Sequence, residues 1–550
     1  MDGDRYRTLA MAVRSLRPLI ALKAPKKRVR SKTLPAPVGG WNTRDGLPMM
    51  PEHDAVLIDN FFPNSTSVDL RKGYAPHTAS VSGYIETLMA YASPTVNKLL
   101  AASSIGTIYD ISTADSFLTD EAGNLIRTED DRNIIIDTAG STSSLTGLSN
   151  GRFQYINFAT SGGNFIVICN GNDAVRNFDG SAWSTPSITG VTSADLVHVN
   201  AHKNRLWFVE KNSLSAWYLP TQSVAGAASE LDLSAFCTKG GYLVAMATWT
   251  VDAGYGVDDY AAFMTSRGQV LIYRGTDPSS SSTWAIVGVW DIGSPIGRRC
   301  FLKYAGDLLL ITRDGVVPMS KALQSSRTNQ SIELTDKIQP TMGSAAVDYA
   351  SNFGWQLVFF PGGDQLYLNV PVMERVTSHQ YVMNTTTKAW CRFKNMNAGC
   401  WEIYQDELYF GSLNFIGKAW ETTNDAGSAI VGNAIQAFSE LGRPGIQKQA
   451  KLFQTLFYTT GSPTLTGGVN VDYDTFENTA SLQVQSSAYG IWDSATWDTS
   501  RWGSDLELRK SWNGVAGVGN AFAPTLNADA TDVQLQWVNS TIIFEEGGYI

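Results

Sequence analysis

One stretch of the sequence matches a serine-nucleophile motif, but its flanking residues do not favour catalysis. Residues 147–151 read Gly-Leu-Ser-Asn-Gly, which fits the G-x-S-x-G pattern. That pattern serves a hydrolase where a buried strand runs into a helix, because the sharp bend between them holds the serine exposed. Here a polar stretch, STSSLT, comes before the motif and a strand-like stretch, RFQYINF, follows it. We therefore predict no nucleophilic serine at this position.

Two further groups have side chains that bind metals, but their spacing is unfavourable. His198 and His202 are four residues apart, which in a strand is about 13 Å at roughly 3.3 Å per residue, so both rings reach one ion only if the chain bends. Asp252, Asp258 and Asp259 lie among glycines without the ligand spacing of a known calcium loop. The sequence predicts no metal and no cofactor. Paired carboxylates for glycoside hydrolysis stay open, because such residues meet only in the folded chain.

The composition indicates an all-β protein. The 550-residue chain is long enough for two or more domains. Aromatic residues make up 11% of it and glycines number 49, which favours many short strands joined by tight turns. Charged residues are only 17%, so we expect partner subunits to cover much of the surface. All five cysteines lack a C-x-x-C partner, as in proteins that fold in a reducing cytoplasm.

Charge divides the chain into a basic arm and an acidic body. Residues 1–32 hold ten Lys/Arg and two Asp, whereas the other 518 residues carry a net charge of −17. An acidic body argues against a surface that grips nucleic acid. The arm has three open interpretations: a disordered tail, a segment ordered against a neighbouring subunit, or a phosphate-contacting arm. We expect neither a secretory signal nor a membrane span in the sequence.

A unit of three or four strand-like runs with polar turns recurs along the middle of the chain. Because a single such sheet cannot bury both its faces, radial repetition predicts a β-propeller of about six to seven blades over residues 81–425. A large β-sandwich is the alternative. A polar insertion at 113–150 is predicted to be a flexible lid or a contact arm. The recurring segments are 84–112, 153–183, 196–219, 242–275, 301–320, 353–394 and 400–421.

The two ends of the chain differ from this repeat. Residues 426–550 show period-two alternation and glycine turns, which predicts a C-terminal β-sandwich-like domain. Residues 33–80 contain Gly and Pro that oppose a long helix, together with several apolar residues that could anchor the segment. We interpret this segment as an N-terminal clasp that enters the β body and contacts a connector. Its predicted buried anchors are Trp41, Phe61, Phe62 and Tyr74.

Several motifs resemble those of the tail hub, or nozzle, proteins of short-tailed bacteriophages. In the clasp they are GGWNTRD, DAVxxDNFFP and LRKGY. The resemblance is strongest over residues 240–323, where the run Gly275-Thr276-Asp277-Pro278 is its most specific part, and it extends in consistent order over about 38–550. The interaction candidates that lie in these motifs, beyond the four aromatic anchors, are Asp59, Asp277, Pro278, Arg298 and Arg299.

The resemblance implies a non-enzymatic virion protein of the tail, assembled in the bacterial cytoplasm. Its expected partners are identical subunits in a six-membered ring, the adaptor above it, and tail fibres or other tail proteins. Genomic DNA would pass through the ring without sequence-specific binding, and the host envelope is a further possible contact. The alternatives from other classes are a receptor-binding adhesin of the tail tip and a propeller glycosidase.

Overall fold

The structure is a computed structural model that describes residues 29–120, 125–128, 134–137, 141–252, 257–323, 333–482 and 506–547. Regular structure in these residues is almost entirely β, as the composition predicts. Among them, no helix is long and apolar enough to cross a membrane. The helical pieces are short: Leu47–Met49, Ser193–Asp195, Ser234–Phe236, Met319–Ala322, Asp336–Ile338, Gln339–Tyr349 and Pro361–Gly363.

Seven successive antiparallel sheets occupy the middle of the described chain, and we number them blades 1 to 7. Within each blade the neighbouring strands follow one another in chain order, although short strands outside the sheet lie between the last two strands of blades 1 and 3. The strands are Ile85–Ala92, Asn97–Ser103, Ile108–Asp110 and Thr142–Leu145 (blade 1); Gln154–Thr160, Gly163–Cys169, Arg176–Phe178 and Trp183–Ser184 (blade 2); Leu196–His202, Arg205–Glu210, Ser215–Tyr218 and Ser229–Asp232 (blade 3); Leu243–Asp252, Val257–Thr265, Gln269–Gly275 and Trp284–Asp291 (blade 4); Phe301–Tyr304, Asp307–Ile311 and Val316–Pro318 (blade 5); Gln356–Phe360, Gln365–Met373, Thr377–Asn384 and Trp390–Phe393 (blade 6); and Cys400–Tyr404, Glu407–Ser412 and Phe415–Ala419 (blade 7).

Tight turns set the register inside the blades. In blades 3, 5 and 7 the first two strands are joined by only two residues, and both have positive φ: Lys203-Asn204, Ala305-Gly306 and Gln405-Asp406. Two consecutive left-handed residues make the type I′ turn, whose twist matches that of the flanking strands. This turn places the first strand of each of these blades directly against its second strand.

The blades form a closed ring. The first strand of each blade packs beside the first strand of the next, except that the first strand of blade 4 contacts the second strand of blade 5, and Cys400–Tyr404 of blade 7 returns to Ile85–Ala92 of blade 1. The outer strand of blade 7 comes from the other end of the chain, because Tyr74–Thr78 pairs antiparallel with Phe415–Ala419. The β-propeller prediction is therefore confirmed, and the alternative of a large sandwich for this region is wrong.

Two further sheets face each other beside the propeller, and we call this pair of sheets the sandwich. They share one apolar core, which includes Phe61, Phe453, Leu526 and Trp537. One sheet consists of Val29–Pro35, Phe61–Pro63, Val68–Leu70, Lys448–Thr459, Glu507–Gly519 and Leu535–Glu546. The other consists of Gly40–Trp41, Asp54–Asp59, Ile430–Gln436, Thr464–Val471 and Phe522–Ala530, and it continues into blade 6. Four short strands complete the described set: Ser116–Phe117, Ile135–Asp137, Ile188–Thr189 and Gly226–Ala227.

Three predicted boundaries differ from the observed elements. Strand Val29–Pro35 crosses the boundary placed at residue 32, because it pairs antiparallel with Leu535–Glu546 along its whole length. Arg30 and Lys32 also form ion pairs with Glu546 and Glu52. Residues 1–28 of the arm lie outside the described residues. The insertion 113–150 contains Thr142–Leu145, the outer strand of blade 1, so it is not only a lid or arm. The boundary at 425 separates residues that share one sheet.

Candidate functional site

The aromatic anchors of the N-terminal segment lie in the junction between propeller and sandwich. Trp41, Phe61 and Phe62 are buried, with Phe61 at 0% exposure. Tyr74 is only half-buried, and its ring packs edge-on against Phe410 of blade 7 at 5.0 Å between centroids. The motif residues of the segment therefore contact the sandwich core and the last blade of the propeller.

Asp59 joins this segment to blade 6 through charge. Arg392 donates to its two carboxylate oxygens at 2.7 and 2.9 Å, and Lys394 Nζ lies 2.6 Å from Oδ2. The Arg392 guanidinium also lies over the Trp41 ring, 5.1 Å from its centroid. Two parallel hydrogen bonds from a guanidinium to a nearly buried carboxylate fix the relative orientation of the two side chains and also neutralise the carboxylate charge. Asp59 is thus a structural contact between two parts of the chain.

Asp277 and Pro278 lie away from this junction, in the turn between the last two strands of blade 4. The Asp277 carboxylate accepts from the Ser279 amide at 3.2 Å and from its hydroxyl at 2.8 Å, which is the pattern of an Asx turn. It also accepts from Arg205 of blade 3 at 3.3 Å. These contacts stabilise a turn and link adjacent blades, and they form no part of the central channel.

The first strands of the blades enclose an axial channel, and its cavity has a volume of about 310 Å³. Residues from all seven first strands contribute to its wall. Polar side chains in this wall also connect the blades: Asn200 donates to the Met246 carbonyl and Gln356 donates to the Trp401 carbonyl, each at 2.8 Å. The channel is narrow and is lined by both polar and apolar side chains, and its volume suits small molecules.

Arg299 crosses the axis at one end of this channel. Although it precedes blade 5 in the chain, its guanidinium donates to Thr87 Oγ1 at 2.6 Å and to the Glu86 carbonyl at 2.9 Å in blade 1. It also donates to Gln356 Oε1 of blade 6 at 3.3 Å. The same guanidinium lies over the Phe353 ring at 5.3 Å. Arg299 therefore connects opposite sides of the ring and obstructs the axis.

A carboxyl group with a perturbed pKa faces the same channel. Burial raises the pKa of Glu402 to about 7, while a hydrogen bond from the Tyr155 hydroxyl and the charge of Arg299 oppose that rise. His198 lies in the same wall, and burial lowers its pKa to about 4. The channel wall therefore contains a histidine whose pKa is lowered and a glutamate whose pKa is raised, both by burial.

Beyond Arg299 the axis opens into a wider cavity of about 960 Å³, which we call the basic mouth. Loops from blades 2 to 6 build it, and no Asp or Glu is among the wall residues that the structure describes. In four successive blades, 3 to 6, the turn after the second strand supplies a cation. The cations of the mouth are Arg152, Lys211, Arg267, Arg298, Arg313 and Arg375.

Half of these cations have carboxylate partners. The buried Glu86 carboxylate accepts from Arg152 at 3.0 Å and from Arg375 at 2.8 Å, and Lys211 pairs with Asp195 at 2.6 Å. None of the ion pairs of the described residues involves Arg267, Arg298 or Arg313. Arg298 donates to the Asn170 carbonyl at 3.0 Å, and burial lowers its pKa. The mouth therefore presents excess positive charge on an acidic protein.

The side chains considered for chemistry do not form a catalytic or metal site in the described structure. Ser149 donates to Asp173 at 2.7 Å from a loop that leads into blade 2, without the helix that a nucleophile needs. His198 and His202 lie on one strand, and the described residues contain no group of three potential metal ligands. All five cysteines are buried and free. Sequence reasoning identified Arg298 and Arg299 by resemblance but missed the other cations of the mouth.

Comparisons with known proteins show likeness in structure only. No protein-family model matches the sequence, and no curated protein matches it. The WD40 β-propeller domain of Doa1 aligns with 63% of this chain and 96% of its own length at 10% identity, with a TM-score of 0.37. The β-propeller domain of Myceliophteria thermophila Cps50 (Swd1) aligns with 64% of this chain and all of its own length at 11% identity, with a TM-score of 0.38. The computationally designed Ika8 protein gives 10% identity and a TM-score of 0.35.

Proposed function

We propose that this protein is a structural subunit of the tail nozzle of a short-tailed bacteriophage, in which six copies form a ring that conducts the genome. The observation that supports this most is the position of the motifs that resemble the nozzle family. Their residues Trp41, Asp59, Phe61 and Phe62 tie the N-terminal segment to the sandwich and to blade 6. A subunit that must transmit force in a tail needs such a rigid junction between its domains.

The sandwich offers a surface for contact between subunits. Glu507–Gly519 is an edge strand of 13 residues, and on its outer face Leu508, Trp512 and Val518 are 54%, 44% and 54% exposed. A long apolar edge strand is a template for pairing with another chain. We assign this edge to the contact between neighbouring copies in the ring.

In this proposal DNA passes through the hole of the ring and not through the propeller. The propeller axis encloses only about 310 Å³ and is crossed by Arg299, so it has no room for a duplex. The acidic body, at −17 for residues 33–550, would repel phosphates and let DNA slide past. Docking onto the adaptor and support of tail fibres belong to the same proposal, and the basic arm is assigned to the adaptor contact.

A receptor-binding adhesin is the second candidate, because the basic mouth is an open cavity that suits a ligand. The two candidates differ in location and stoichiometry. Immunoelectron microscopy of the virus particle, with antibody against this chain, should label a ring around the tail axis in the nozzle account and the distal tip of the tail in the adhesin account. Turnover of bacterial surface glycan by the purified chain, abolished by one carboxylate substitution, would instead favour the glycosidase.

A further inference from the structure

We propose that the basic mouth binds an acidic saccharide, a short sugar chain that carries carboxylate groups. The inference starts from the shape of the site. A cavity of about 960 Å³ lies at the upper end of the range of small-ligand pockets and holds a few sugar units. It is bounded on several sides by loops of different blades, so a bulky duplex does not fit into it.

The charge of the mouth specifies an anion. Arg267, Arg298 and Arg313 come from blades 4 and 5 and lack carboxylate partners in the described ion pairs. A guanidinium is a planar fork that matches a carboxylate through two parallel hydrogen bonds. Arg298 is exposed in the cavity wall, so its guanidinium is accessible to a bound anion.

The remaining wall favours a sugar over a simple ion. Amide and hydroxyl side chains line the cavity between the cations, which suits a ligand rich in hydroxyl groups. Tyr242 is 45% exposed there and offers an apolar ring face. Inorganic phosphate would use the cations but neither of these features. The polar uncharged wall residues include Asn150, Asn172, Asn212, Ser266, Ser294 and Asn352.

Isothermal titration of the full-length protein tests this inference with trigalacturonate and 3′-sialyllactose as acidic probes. Maltotriose and lactose are the uncharged probes, and inorganic phosphate and a short single-stranded oligonucleotide are the competing anions. We expect one site per chain for at least one acidic probe, an affinity that falls with rising salt, and weaker or no binding of the other probes. The inference does not depend on the proposed ring, because it concerns a single chain.

Matched variants locate the site. Arg267→Gln and Arg313→Gln should each weaken the acidic probe roughly tenfold or more, since a hydrogen bond to a charged group is worth about 1.5–3 kcal/mol. Tyr242→Ser should weaken the saccharide without affecting phosphate. Arg274→Gln is the control, because Arg274 is exposed on blade 4 but outside the mouth. Melting temperatures establish that each variant is folded.

Three outcomes would overturn the inference. The first is no binding of either acidic probe at millimolar concentration. The second is equal or tighter binding of phosphate, the oligonucleotide or the uncharged sugars. The third is a loss of affinity in Arg274→Gln that equals the loss in Arg267→Gln.

Discussion

Arg71 and Asp425 form a bidentate ion pair that joins the N-terminal segment to the residues after the last blade. The Arg71 guanidinium donates to Asp425 at 2.8 Å and 2.6 Å, and both residues are buried. It further donates to Asn60 Oδ1 and to the Lys394 carbonyl, each at 3.0 Å. One side chain thus connects three parts of the sequence where propeller and sandwich meet.

Removing either partner of this pair should destabilise the protein strongly. Arg71→Ala leaves the buried Asp425 carboxylate without its partner, a change that typically costs about 3–5 kcal/mol. Arg44→Ala is the control, since its pair with Asp336 is exposed and should contribute less than about 1 kcal/mol. Urea denaturation measures both. Equal losses in the two variants would show that the Arg71 pair does not hold the domains together.

Phe61 and Phe62 should each contribute to the same junction through burial. Phe61→Ala and Phe62→Ala remove large side chains that are 0% and 4% exposed, so each should lower the free energy of unfolding by about 3–5 kcal/mol. Phe236→Ala, at a ring that is 41% exposed, is the matched control and should cost far less. Unchanged denaturation midpoints in both core variants would contradict the structural role of the N-terminal segment.

Glu402 should make stability depend on pH in a defined direction. Its folded pKa of about 7 lies above the ordinary value of 4.5, so the folded state holds a proton that the unfolded state has lost. The cost of the buried carboxylate is therefore absent below about pH 4.5 and complete above about pH 7. Glu402→Gln should gain stability relative to the original protein as pH rises across this window.

Thermal unfolding of both proteins between pH 5 and pH 8 checks this direction. Glu407→Gln in blade 7, at a side chain that is 43% exposed, serves as the control. A stability difference between Glu402→Gln and the original protein that stays constant with pH would contradict the perturbed pKa.

Trp512 should matter for assembly and not for folding. Its side chain is 44% exposed on the edge strand Glu507–Gly519. Trp512→Ser removes an aromatic side chain of the kind that dominates interface energies. The six-membered assembly of the variant should therefore dissociate at protein concentrations at which the original protein remains assembled, while the melting temperature of the monomer is unchanged. Val347→Ser, at an 84% exposed position on helix Gln339–Tyr349, is the control. Mass photometry that finds the same oligomers in all three proteins would remove this edge from the proposed contact.

The blades could be predicted from the sequence because their signals are local. Each recurring segment contains its own strands and turns, so residues such as Lys203 and Asn204 indicate a hairpin without knowledge of the rest of the chain. The closure of the ring could not be predicted in this way. Tyr74 pairs with Ala419 across more than 300 residues, and nothing in either strand specifies the other.

The basic mouth could not be predicted either, because its residues also come together only in the folded chain. Arg152 and Arg375 lie far apart in the sequence and meet only on Glu86. The negative net charge of the chain argued against a basic site, because net charge does not show where the charged residues lie. One signal was present: Lys211, Arg267 and Arg313 each follow the second strand of a blade, so alignment of the repeats would have shown a recurring cation.

Electron cryomicroscopy of the purified full-length protein, reconstructed without imposed symmetry, tests the central claim most directly. The account predicts closed six-membered rings with an open central hole wide enough for duplex DNA, neighbouring subunits in contact through strand Glu507–Gly519, and each propeller axis obstructed at Arg299. Monomers at every protein concentration, or rings without a central passage, would contradict it.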